Sequence, residues 1–166
     1  MIPTKVFIHY LNRLKRMLRK MEHSQVENHD LLHARLAEDM FPLVQQAKVA
    51  IGFSLRASCP LAGLEIVSFE DKEDSVTSLI KQISLTVDYL SKIPSESFNH
   101  MGDRIIQTKA GFAEHELDGD TYFLTYALPN FFFHLNMVYA ILRNQGVALS
   151  KSDFDDFHQY PDDFSF

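Results

Sequence analysis

Residues 120–146 read DTYFLTYALPNFFFHLNMVYAILRNQG, and their periodicity decides the fold class. On a helix, Phe123, Ala127, Asn130, His134, Met137 or Val138, and Ile141 lie along one side, as the 3.6-residue repeat of an amphipathic helix requires. Asp118 or Asp120 suits the N-cap, and Gly146 is placed to end the helix. Pro129 falls in the middle, where its missing N–H predicts a kink or a short break. The expected element is therefore one long interrupted helix over 120–144.

Three further helices are legible by the same reasoning. Over residues 3–23, Val6 or Phe7, Tyr10 or Leu11, Leu14, Met17 or Leu18, and Met21 form an apolar stripe between Lys and Arg. Pro3 suits that helix's entry. A polar stretch, 24–38, follows, with a short helical turn expected at 30–36. The second helix is expected to start at Asp39-Met40-Phe41-Pro42 with Asp39 as its cap. It would show Leu43, Gln46, Ala50, Phe53 and Ala57 on one face and end at Cys59-Pro60. A long connection, 60–74, leads to the third helix, 75–92, with Val76, Leu79, Ile80, Ile83, Val87 and Leu90 in register. Residues 104–117 lack helical periodicity. Ile105-Ile106 and Phe112 around Lys109-Ala110-Gly111 predict a small β-hairpin. Residues 147–166 read as an extended acidic and aromatic tail. The expected fold is all-α, with residues 1–155 as the domain and 156–166 as the tail.

Composition bounds the function classes. The chain has 166 residues, 46% hydrophobic and 23% charged, with fourteen Phe and no Trp, which is a globular balance. A net charge of −6 argues against a generic nucleic-acid binder. The charge is uneven: residues 1–23 hold six Lys and Arg against Glu22, whereas residues 153–166 hold five Asp and no Lys or Arg. The basic helix is read as a helix with a solvated charged face rather than a membrane-surface segment. No apolar run reaches the ~18 residues of a membrane span. With Cys59 the only cysteine, no intrachain disulfide forms, and a reducing cytoplasm is the expected compartment.

No HExxH, Walker A, GxGxxG, GxSxG or CxxC pattern is present. His29 and His33 stand four apart, a ligand spacing if helical, but their polar setting reads as solvated. Cys59 has no sequence neighbour that argues for a reactive thiolate. The informative residues are polar interruptions of apolar stripes: Asn130 and His134 on the last helix, Gln46 on the second. If those faces meet, the three form a buried polar cluster. Such a cluster is either a satisfied hydrogen-bond network near Pro129, whose break frees a carbonyl for Asn130, or a ligand or metal pocket between helices.

Several segments carry a family resemblance. Arg35-Leu36, Asp39-Met40-Phe41-Pro42-Leu43 with Gln46, Ser68-Phe69-Glu70-Asp71, Leu128 through His134, Tyr139 through Arg143, Gly146 and Lys151-Ser152-Asp153-Phe154 resemble an uncharacterised domain-of-unknown-function family of the DinB/YfiT-like superfamily. The resemblance covers roughly residues 3–155. It implies a DinB-like four-helix bundle with a long helix 2–helix 3 connection, often a homodimer. The superfamily carries three metal-binding histidines, one on helix two and an HxxxH pair on the last helix, and some members are thiol-dependent transferases or isomerases. Anchored on Leu142-Arg143, the resemblance places His134 at the second histidine of that pair, Asn130 at the first, and Gln46 near the helix-two histidine. Amide carbonyls are poor ligands for zinc or nickel, so the metal triad is degenerate here, with His134 its remaining ligand.

Three functions follow as expectations. The first is a homodimeric bundle binding a polar small molecule in a pocket formed by Gln46, Asn130, His134 and Asp39. The second is a divergent metal- or thiol-dependent transferase or hydrolase, holding a divalent metal or using His134 as a base with help from Asp39. The third is a structural dimer without a ligand site, assembled through exposed Phe residues and the acidic tail.

Overall fold

The computed structural model describes residues 2–24, 26 and 30–161. The chain is mostly helical with one small antiparallel sheet. Helix α1 (Pro3–Glu22) enters at Pro3 and buries Phe7, Leu11, Leu14, Met17, Leu18 and Met21 along one stripe. A 3-10 turn at Leu31–His33 and a turn closed by Met40 N–H on the Ala37 carbonyl lead to α2 (Leu43–Leu61).

The start of α2 differs from the sequence expectation. Its N-cap is Pro42, and Asp39 lies exposed in the preceding turn. The residue before a proline is pushed to extended backbone, so Phe41 cannot open the helix. The end differs too, because the helix carries through Pro60 to Leu61. Proline there removes the donor for one carbonyl, that of Arg56, and Tyr122 Oη donates to it at 2.9 Å. Gly63, at φ +73°, then turns the chain: Leu64 N–H reaches the Cys59 carbonyl and Gly63 N–H that of Pro60, the Schellman pattern.

Helix α3 (Val76–Lys92) is capped by Ser75, whose Oγ accepts from Ser78 N–H at 3.0 Å. Two 3-10 turns, Ser95–Phe98 and Met101–Asp103, place Phe98 and Met101 in the core. Strands β1 (Ile105–Ala110) and β2 (Ala113–Asp118) then pair antiparallel, with Ile106 opposite Leu117 on the inner face. Gly111, at φ +60°, opens the two-residue turn. Gly119 follows at once, and a Cβ there would sit 1.9 Å from the Met101 carbonyl oxygen, so only glycine fits.

The last long helix starts as α4 (Gly119–Thr121), capped by Asp118 Oδ1, which accepts from Thr121 N–H at 3.0 Å. It passes through a π-helical segment, Tyr122–Ala127, into α5 (Leu128–Asn144). The break expected at Pro129 thus takes the form of a changed hydrogen-bond register just ahead of it. Gly146, at φ +87°, ends α5 with a second Schellman pattern.

Helix α2 packs against α5 and α3, and α1 against α3 and α2. Phe7 meets Phe131 and Phe123 edge-to-face at 4.9 and 6.1 Å and joins α1 to the last helix. The segment after 147 is not simply extended: Lys151–Asp155 forms α6, closed by a Ser150/Asp153 capping box and docked on α1. The basic face of α1 is correspondingly less solvated than its sequence suggests. Among the described residues no helix is long and apolar enough to cross a membrane.

Candidate functional site

The faces of α2 and α5 that carry polar interruptions do meet. Gln46 and His134 are both buried, and Nδ1 of His134 lies 2.7 Å from Gln46 Oε1. Gln46 Nε2 donates to the Phe41 carbonyl at 3.3 Å, which orients the amide so that Oε1 faces the imidazole. Since Oε1 only accepts, Nδ1 carries the proton and Nε2 holds the lone pair. Nε2 has no partner among the described residues and is not one of the sealed, unpartnered atoms, so it faces accessible space.

Three rings frame the imidazole. Phe41 and Phe53 lie nearly parallel to it at 6.4 and 5.9 Å, and Phe133 meets it edge-on at 5.1 Å. Phe41 and Phe133 are each half exposed, so they stand at the mouth of the site. Burial, and secondly the positive charge of Arg56, push the His134 pKa below that of an ordinary imidazole and favour the neutral ring. The Arg56 guanidinium carbon sits 4.0 Å from the Phe53 ring centroid, a cation–π contact.

The other candidate residues go elsewhere. Asn130 Nδ2 donates to the Tyr126 carbonyl at 2.7 Å, four residues back, and so serves the backbone of the π segment. Asp39 makes no side-chain hydrogen bond or ion pair among the described residues. His33 is exposed and bonded to Asp30 at 2.5 Å, while His29 lies outside the described residues. Cys59 is buried, and that burial raises its thiol pKa against the lowering contacts with Val67 and Tyr89.

Sequence reasoning put Phe53 on the face of Gln46 but passed over Arg56 and the packing of Phe41, Phe53 and Phe133 around the imidazole. A signal for Arg56 was available: it is the only charged residue in the run 49–64. Gln46, Asn130 and His134 do not fit a first-row metal, because Gln46 offers one amide oxygen already engaged with His134 and Asn130 is turned to the backbone. Among the described residues no group of three or more His, Cys, Asp and Glu could hold a metal ion. A broad concavity of about 460 Å³ along the hairpin, lined by Gln107, Lys109, Glu114 and His115 among others, gathers no buried polar group.

The profile of the family described as "Domain of unknown function (DUF1993)" matches residues 2–155. The chain is also similar to the crystal structure of a DinB family member protein from Shewanella denitrificans, at 1.83 Å resolution, with 26% identity and a TM-score of 0.84. That similarity covers 95% of this chain and 92% of the other. No curated protein matches the chain significantly.

Proposed function

The chain belongs to the DUF1993 family of DinB-like proteins, and from that premise we propose that it is a four-helix-bundle protein binding a small molecule at His134. On this reading the superfamily's metal triad has been exchanged for a hydrogen-bonding site. One observation carries it: Nδ1 of His134 is fixed by Gln46, while Nε2 keeps a lone pair with no partner among the described residues. A neutral imidazole so held accepts a hydrogen bond from a ligand O–H or N–H. The half-exposed Phe41 and Phe133 offer that ligand planar apolar walls.

Phenol is a suitable probe, being neutral and planar with one O–H. In a titration followed by NMR of the His134 ring nitrogens, phenol should shift Nε2 saturably while Nδ1 keeps its bond to Gln46. Equimolar zinc should leave both nitrogens in place. A flat phenol titration sinks the ligand reading, and a stoichiometric zinc shift at Nε2 restores the metal one.

A further inference from the structure

A second concavity, about 340 Å³, runs along α2 beneath the segment 66–70, on ground separate from the His134 site. Val49, Gly52, Leu55, Ile66 and Val67 line it, and the Arg56 guanidinium stands in its wall. Its volume lies within the ordinary range of small-ligand clefts.

Two features set this groove apart. The first is that Arg56, among the described residues, has no hydrogen-bond or ion-pair partner for its guanidinium, which rests on the Phe53 ring and keeps its N–H fork free. The other cation of the groove, Lys48, is already committed: its Nζ donates to Asp74 Oδ1 at 2.8 Å and to the Asp71 carbonyl at 3.0 Å. The second feature is Gly52. Glycine is disfavoured inside a helix, and no backbone approaches this one closely enough to require it. The nearest atoms to a Cβ built there are Arg56 Nε and Nη2, both at 3.9 Å, so the missing side chain leaves open the floor beside the guanidinium.

We propose that this groove binds a small monocarboxylate, its carboxyl paired with Arg56 and its apolar body lying against Val49, Leu55, Ile66 and Val67. A planar guanidinium takes a carboxylate through two parallel N–H···O bonds. The exposed Glu70 also lines the groove, and its charge opposes a dianion such as phosphate more than a monoanion. The Phe53 ring links the groove's Arg56 to His134: it stacks on the imidazole from α2 and carries the guanidinium. Neutralising Arg56 with a bound carboxylate would therefore be felt at His134 without contact.

Butyrate is the probe, with butanol and inorganic phosphate as comparisons, followed by methyl NMR of Val49, Leu55, Ile66 and Val67 in the full chain. Butyrate should shift these methyls saturably and bind more tightly than butanol or phosphate. Arg56→Gln should weaken it about tenfold or more. Gly52→Leu, which fills the floor and leaves the charge, should abolish it even if Arg56→Gln proves poorly folded. Equal butyrate affinity in Gly52→Leu and wild type overturns the proposal, as does butanol binding as well as butyrate. Phosphate binding more tightly than butyrate overturns the monocarboxylate assignment. None of these outcomes depends on phenol reaching His134.

Discussion

A histidine buried between helices has two ring nitrogens to satisfy, and in this protein they are treated unequally. Gln46 fixes Nδ1, while burial and the nearby Arg56 charge together disfavour protonation. The folded-state pKa lies below the unfolded one, so the unfolded chain binds the proton first as pH falls. The contribution of His134 to stability is thus complete above the unfolded imidazole value of about 6.5 and is lost as pH drops through the folded value. Urea unfolding should show wild type losing more stability than His134→Gln between about pH 7.5 and about pH 5; parallel losses would place the effect elsewhere. The polar interruptions at 46, 130 and 134 were all legible in the sequence. What was not legible is that Asn130 serves a backbone carbonyl while Gln46 serves the imidazole, since a helical wheel gives direction but not the nearest acceptor.

Prolines explain where the elements depart from sequence expectation. Pro42 delays the start of α2, Pro60 sits harmlessly in its last turn, and Pro129 follows a π segment. A proline within a helix is tolerated when another group serves the carbonyl left without a donor. For Pro60 that group is the Tyr122 hydroxyl on the Arg56 carbonyl, 66 residues away in sequence. Burial chiefly, with the neighbouring Tyr126, raises the Tyr122 pKa to about 12, so the phenol remains a donor through the physiological range. Tyr122→Phe should lower stability by about 1 kcal/mol in urea unfolding, because it leaves the partly buried Arg56 carbonyl without its donor. Tyr126→Phe is the control: its hydroxyl meets the Lys109 carbonyl at an exposed 3.3 Å, and its loss should matter less. Equal effects would show that the Arg56 carbonyl, left without a donor by Pro60, needs no such partner.

At the scale of the molecule, the basic start and acidic end of the chain find each other. Lys20 Nζ lies 2.8 Å from both carboxylate oxygens of buried Asp153, Arg16 Nε lies 3.3 Å from Oδ1, and Arg13 pairs with Asp156. His9 bonds the Asp155 carbonyl and stacks on Phe157, while Phe154 packs against Tyr10 and Tyr139. Burial alone would raise the Asp153 pKa, but Lys20, the Ser150 N–H and Arg16 outweigh it and bring it below the usual carboxylate range. Asp153→Asn should therefore cost about 2 kcal/mol near neutral pH, a figure held down by the exposure of Lys20 and Arg16. The difference from wild type should shrink as pH falls below about 4, where the unfolded carboxyl takes up its proton. A difference independent of pH would assign the loss to the capping box alone. The sequence by itself determined the four long helices, the hairpin, the glycine stop at 146 and the charge asymmetry of the ends, because periodicity, caps and turns are written within a few neighbouring residues. Only the tertiary structure decided which polar groups meet: Gln46 with His134 across 88 residues, Tyr122 with Arg56 across 66, Lys20 with Asp153 across 133. Each of those pairings answers a need for a partner that burial creates, and burial is a property of packed elements rather than of any one of them.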